Sequence, residues 1–487
     1  MTTSDLPTGT PAGHREIDEV QEPPREPNYL LRRAIVIGSV VALIAAIAIG
    51  VGTLLERDSD SAPSAGAPAE WDTVVLLDNR SGQVILADAS GAESARFTSG
   101  VRAATDAMTV GSTLVVTSAA AAGVVDLGSE TSQVFDLATA PDGVVMPAGS
   151  PATLLVGSGA GDRAVLVHGP SGDLIDTEAS VPIAGAAYDV VTAVASPSGR
   201  DVLLTDSGNF QSVLFSFDRE QPSYFPGRAL AVDDSLVVTT QNVGTESTLS
   251  VFDHDGETVS DARTASVRAG MIAGGHVILV TLDGDVLDLD TSSGETSAGG
   301  STAIGPVRSA TVTPTGDRLV VVGDGGTAII DVDGQVLAEL PGTAPIGTGI
   351  NEFATRTSAC LVVVDQLDSG LTVVSLADGS IVAEADRPAG VDAAGGPTAA
   401  AGDVLASADG CTAATTAADG VTLVAADGVR TIAGSTDLRS LSPDAAAIVV
   451  ASDARLQLQA VASDDPPDVA EPIDLGPDSR LPLFTDR

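Results

Sequence analysis

The chain has 487 residues, with 66 Asp and Glu against 23 Arg and no Lys, so its formal net charge is −43. Phosphate binding needs a basic face, so this balance excludes nucleic acid as a partner. Nine Phe, three Tyr and one Trp are also too few rings for a carbohydrate-stacking face.

Residues 1–28 are polar and Pro-rich and bury too little to fold, so 1–33 reads as a disordered tail ending in a basic flank of Arg25, Arg32 and Arg33. Ala34 to Leu55 follows, 22 residues without a charge, long enough to span a bilayer as one helix. Arginines precede the run and Glu56-Arg57-Asp58 follows it, which places the N-terminus in the cytoplasm and the large C-terminal part outside. A cleaved signal peptide would need a shorter apolar run with a small-x-small site close behind it. Ala65-Gly66-Ala67 and Ala67-Pro68-Ala69 lie too far beyond the run, so it reads as a retained anchor. Gly38, Ala42, Ala46 and Gly50 fall every four residues along one helix face, a small-residue stripe suited to helix association and hence to a helix-mediated oligomer. Tyr29 reads as an interfacial anchor ahead of the helix, and 56–70 as a Ser/Ala/Pro/Gly linker.

From Trp71 the pattern changes to apolar runs of four to seven residues, rich in Val, Leu and Ile and broken by Asp/Gly/Ser turns. That is a strand pattern, with no helical period. The strands repeat as a unit. The second strand follows a Ser/Thr-Pro-x-Gly-like turn, as at Ser196, Thr313, Thr355, Ser407 and Ser442. The third ends in an Asp-rich hairpin turn, as in VFDHDGE from Val251, LDTSSGE from Leu289, IDVDGQ from Ile330, SLADGS from Ser375 and VAADGV from Val424. A recurrence of roughly 35–50 residues is that of four-stranded propeller blades.

On these turns and Val-rich strands, residues 71–478 resemble the bacterial YVTN and WD-repeat-like β-propellers, and also the pyrroloquinoline-quinone-repeat type. Full Ser/Thr-Pro-x-Gly turns occur only at Ser196 to Gly199 and Thr313 to Gly316, and Ser442 to Ala445 lacks the Gly. The resemblance implies an all-β fold, one large propeller, and leaves activity open. Base rates favour seven or eight blades, while the repeat count gives nine sets plus a leading hairpin at Thr73 to Ala89, hence up to nine or ten, or two smaller propellers. Joining strands from the two chain ends in one blade would remove the open edge. Residues 479–487 are set aside as a C-terminal tail.

No residue set rises to a specific chemistry, and no catalytic, cofactor or metal residue is assigned. His14, His168, His254 and His276 share no local motif and read as surface or turn residues. Asp253-x-Asp255-Gly256-Glu257, Asp283-Gly284-Asp285 and Asp331-x-Asp333-Gly334 look like calcium loops but lack the further oxygen ligands and closing Glu; they read as hairpin turns. Gly157-Ser158-Gly159 lies between strands and is no nucleophile elbow. Trp71 reads as a core or closure residue. Cys360 and Cys411 are the only cysteines, each near the start of a second strand of neighbouring repeats; a disulfide and two free buried thiols are both open.

The all-Arg, Ala/Gly/Val-rich composition reads as the codon bias of a GC-rich bacterial genome. The reading is a single-pass plasma-membrane protein whose extracytoplasmic propeller binds an envelope protein or a small ligand as a scaffold, with no enzymatic activity and no cofactor. Alternatives are a sensor signalling through Thr2, Thr3, Ser4, Thr8 or Thr10 of the tail, and a lactonase-like or other propeller enzyme.

Overall fold

A computed structural model describes residues 71–136, 141–145, 152–158, 164–176, 190–206, 211–243, 245–345, 359–365, 370–385, 404–417, 420–433, 437–461 and 472–485. The tail, the charge-free run with Gly38, Ala42, Ala46 and Gly50, and the linker lie outside them. Among the described residues no helix is long and apolar enough to cross a membrane.

The described chain forms ten four-stranded antiparallel sheets, the blades of one β-propeller. Blades 2 to 10 each take four consecutive strands, in the spans 104–136, 141–176, 190–226, 228–265, 267–301, 307–341, 343–385, 404–433 and 437–477. Blade 1 is assembled from both ends: Thr73–Asp78, Gln83–Asp88 and Glu93–Thr98 are joined by Arg480–Thr485, which pairs with Thr73–Asp78 across all six residues. The repeat count, not the base rate of seven or eight, matches the ten blades. The stretch set aside as a tail at 479–487 carries the closing strand, so the propeller extends to Thr485.

Ten hydrophobic clusters hold the ring, one for each contact between adjacent blades, the contact between blades 10 and 1 included. The period-two geometry of a strand explains this. In blade 7, Leu319, Val321 and Ile330 face blade 6, while Val320 and Ile329 face blade 8. Both faces of a blade are buried, so its middle strands read as continuous apolar runs rather than alternating ones. Each buried Val, Leu or Ile contributes about 1.5–3 kcal/mol relative to exposure. The contact between blades 8 and 9 is thin on one side, because blade 9 supplies only Ala413 and Val424 as fully buried members.

The Ser/Thr of the repeat turns has a structural task. Ser196, Thr313 and Ser442 are fully buried and Ser407 nearly so. Each hydroxyl accepts a backbone N–H five residues on, from Asp201, Arg318, Ala447 and Thr412, at 2.9–3.2 Å. The hydroxyl thereby closes the turn between the first and second strands. Gly199, Gly316 and Gly410 occupy positive φ in these turns, and Ala445, which replaces the Gly, is held at φ 57°.

Candidate functional site

The first strand of each of blades 2 to 10 is innermost, and the first strands of blades 4 to 7 pack against one another in sequence. Where they finish, Val194 and Ala195, Ala231 and Val232, Met271 and Ile272, and Val312 converge around a space of only about 20 Å³. Pro197 of the Ser-Pro turn in blade 4 lies against Gly316 of the Thr-Pro turn in blade 7, where a Cβ would sit 3.0 Å from the Pro197 ring. This end of the arc is narrow, and Asp233 also lines it.

The opposite end, where the same strands begin, is open. A cavity of about 700 Å³ is lined by Gln211, Pro226 and Gly227 together with Arg228, Gln241 and Asn242, and Val243 stands 77% exposed at its edge. A volume in this range suits a small molecule. Gly227, at φ 95°, brings the chain from the outer strand of blade 4 to the inner strand of blade 5; a Cβ there would meet the Thr240 carbonyl at 2.9 Å. Sequence reading missed this site, because its residues come from two blades and share no motif.

The residues singled out from the sequence lie elsewhere. Cys360, at the start of the second strand of blade 8, and Cys411, just before that of blade 9, form a disulfide with Cα atoms 4.9 Å apart. Backbone bonds from Ala359 and Cys360 to the Asp409 carbonyl hold the two turns together. Trp71 precedes the first strand and packs edge-on against Phe484 of the closing strand, ring centroids 4.9 Å apart.

His14 lies outside the described residues, and the other three histidines are dispersed over three blades. His168 and His254 are buried at 6% exposure rather than on the surface, and His276 is open and bonded to Asp288 at 2.9 Å. His254 Nε2 donates to the Asp233 carbonyl at 3.0 Å, joining two turns of blade 5, the one after its first strand and the one after its third. His168 Nδ1 lies 2.7 Å from Ser171 Oγ, which itself donates to Asp173 at 2.6 Å. The serine sits between the imidazole and the carboxylate, an order opposite to that of a nucleophile triad, where the imidazole lies in the middle. Ser158 ends a strand, Thr153–Ser158.

The acidic turns are consumed by their own backbones. Asp253 Oδ1 accepts N–H bonds from Asp255 and Glu257 at 3.0 and 2.9 Å, and Asp331 Oδ1 accepts them from Asp333 and Gln335 at 3.0 and 2.8 Å. Asp290 accepts the Ser292 hydroxyl and the Ser292 and Ser293 N–H groups, which hold its carboxyl down at about 2. Hydrogen bonds from neighbouring turn residues likewise lower Asp78, Asp88, Asp126 and Asp378. Among the described residues no group of three His, Cys, Asp or Glu is placed to hold a metal ion.

No family model and no curated protein matches the chain. Solved structures similar to it include a eukaryotic initiation factor, 11% identical over 75% of this chain and 97% of that one with a TM-score of 0.45. BamB from Moraxella catarrhalis is 13% identical over 66% and 95%, TM-score 0.37, and the computationally designed Ika8 protein 14% identical over 68% and 96%, TM-score 0.39. At such likeness the fold rests on the chain's own ten sheets, and function on its own geometry.

Proposed function

We propose that this chain is a membrane-anchored, extracytoplasmic binding and scaffolding module of a bacterial cell envelope, held by the helix 34–55 and working through the open end of its propeller. The observation that carries the reading is the joining of one charge-free run of 22 residues to a ring closed by strands from both its ends, with an open cavity at one end of its inner strands. A closed ring is a rigid frame on which loops and strand ends can present contacts. The Cys360–Cys411 disulfide supports an oxidising compartment, where such bonds persist.

The test is crosslinking in intact cells with the full-length chain and, as control, an anchor lacking residues 71–487. The expected result is a membrane fraction that resists alkaline extraction, a propeller open to external protease, and an envelope partner or metabolite retained only when the propeller is present. Recovery of the chain in the cytosol with Cys360 and Cys411 reduced would refute the placement. Capture that is equal with and without the propeller would refute the binding role.

A further inference from the structure

The innermost strands of blades 5, 6 and 7 each carry an arginine where they begin: Arg228 in Arg228–Val232, Arg268 in Val267–Ala273 and Arg308 in Val307–Val312, spaced by 40 residues. The repeat therefore stacks three guanidinium groups on consecutive blades at the open end of the arc. In blades 6 and 7 the arginine is the extra residue of a β-bulge, between Val267 and Ala269 and between Val307 and Ser309. Bulges of this kind re-aim a side chain away from the regular pleat.

The three differ in how their charge is met. Arg308 is bonded through Nε to the Asp324 carboxylate. Arg268 donates from Nε and Nη2 to the Arg308 carbonyl at 2.9 and 2.6 Å. Arg228 is half-buried and its Nε donates to the Thr192 hydroxyl at 2.9 Å. Among the described residues neither Arg228 nor Arg268 has a carboxylate within ion-pair distance. Burial, and then the like charge of Arg268, push the Arg228 guanidinium below its ordinary pKa. Partly desolvated like charges without a counter-ion are a costly arrangement, and it persists here in a chain with 66 acids available to neutralise it.

We infer that the cavity beside Arg228 is a binding site for a small molecule bearing an oxyanion group, phosphate or carboxylate, gripped by Arg228 and completed by Gln211, Gln241 and Asn242, with Arg268 at the start of the next blade's inner strand adding positive charge nearby. With its Nε on Thr192, Arg228 keeps its two Nη groups for the two-oxygen edge of either group. The Asn242 amide oxygen already accepts from Thr240 and Ser247, which leaves its NH₂ half as the donor available to an anion. Val243 at the rim offers an apolar contact for the rest of the ligand. This inference deepens the binding-module reading and rests on it.

The experiment is thermal unfolding and calorimetric titration of the full chain in detergent, with pyrophosphate, citrate and chloride at matched ionic strength. Pyrophosphate or citrate raises the midpoint and binds, whereas chloride does neither; which of the two binds more tightly separates a phosphate from a carboxylate ligand. Arg228→Gln weakens binding at least tenfold and Arg268→Gln by a smaller factor, Arg228→Lys weakens it while keeping the charge, and Arg263→Gln, on the exposed outer strand of blade 5, leaves it unchanged. Arg228→Gln without anion is no less stable than the parent, since it removes an unmet charge. Absence of binding by both anions, or equal binding by the parent and both Gln variants, overturns the site. Because the titration needs neither membrane nor partner, it can fail while the crosslinking test succeeds, and the reverse.

Discussion

Removing the Cys360–Cys411 bond acts on the contact between blades 8 and 9, and the size of the effect follows from the chain it closes. The bond spans 51 residues. Constraining a loop of that length in the unfolded chain is worth roughly 4 kcal/mol in the chain-entropy treatment. The contact it crosses contains six buried residues, of which blade 9 supplies only Ala413 and Val424, so there is little packing there to replace it. The second strand of blade 9, Thr412–Ala417, is built of Thr and Ala and buries small side chains.

How the loss appears in a melting curve depends on whether the ring unfolds as one. At roughly 2 cal/mol/K per residue, a transition of all the roughly 400 propeller residues shifts by about 5 °C for 4 kcal/mol. A transition confined to about 90 residues of blades 8 and 9 would shift by about 20 °C. The assay is scanning calorimetry on the parent chain with and without reductant, and on the Cys360→Ala/Cys411→Ala double variant, which leaves no reactive thiol. The expected result is a lower transition in both reduced parent and variant, with reductant having no further effect on the variant. Equal midpoints for parent, reduced parent and variant would show that the blade 8–9 contact does not depend on the bond, and the reasoning from its thin packing would fail.

Ala445→Gly should raise stability by roughly 0.5–1 kcal/mol, because Ala445 sits at φ 57° where the equivalent turns carry Gly; guanidinium unfolding checks it, and no gain or a loss would count against strain at that turn. Phe484→Ala should cost about 3–5 kcal/mol and expose the seam between blades 1 and 10 to protease, since Phe484 packs on Trp71 and in the cluster with Val449 and Leu458; a change below 1 kcal/mol would show that closure does not depend on that ring. The Asp290 carboxyl is held at about 2 against an unperturbed 3.8, so its stabilising contribution is present above about pH 4 and lost as pH falls through 2. Carboxyl NMR should find it still ionised at pH 3, and Asp290→Ala should weaken the hairpin 290–295 at pH 6 but change nothing at pH 1.5.

Much of the ring was legible in the sequence because each blade must satisfy the same local conditions. Second strands such as Leu319-Val320-Val321-Val322 are apolar throughout since both faces meet a neighbouring blade, and that alone separates them from half-exposed strands. The turn residues Ser196, Thr313, Ser407 and Ser442 announce themselves because one hydroxyl must reach an N–H across a fixed hairpin. The closing strand was harder. Arg480–Thr485 contains Pro482, and as the innermost strand of blade 1 it pairs on one side only, the edge position in which Pro is tolerated.

The open end of the arc was the least legible part, and the reason lies in where charges are spent. From composition, 23 Arg among 66 acids suggests that every guanidinium is paired. The fold sends many acids to outer hairpin turns, where Asp88, Asp253, Asp290 and Asp331 bond to backbone N–H groups two to four residues on. Arg228 and Arg268 are carried to the inner end of their blades, away from those turns. Counting charges along the chain merges the two populations, whereas the topology of the blade separates them. A strongly acidic chain can therefore present a basic mouth, and neutralising Asp residues in the outer turns should leave anion binding at that mouth almost unchanged.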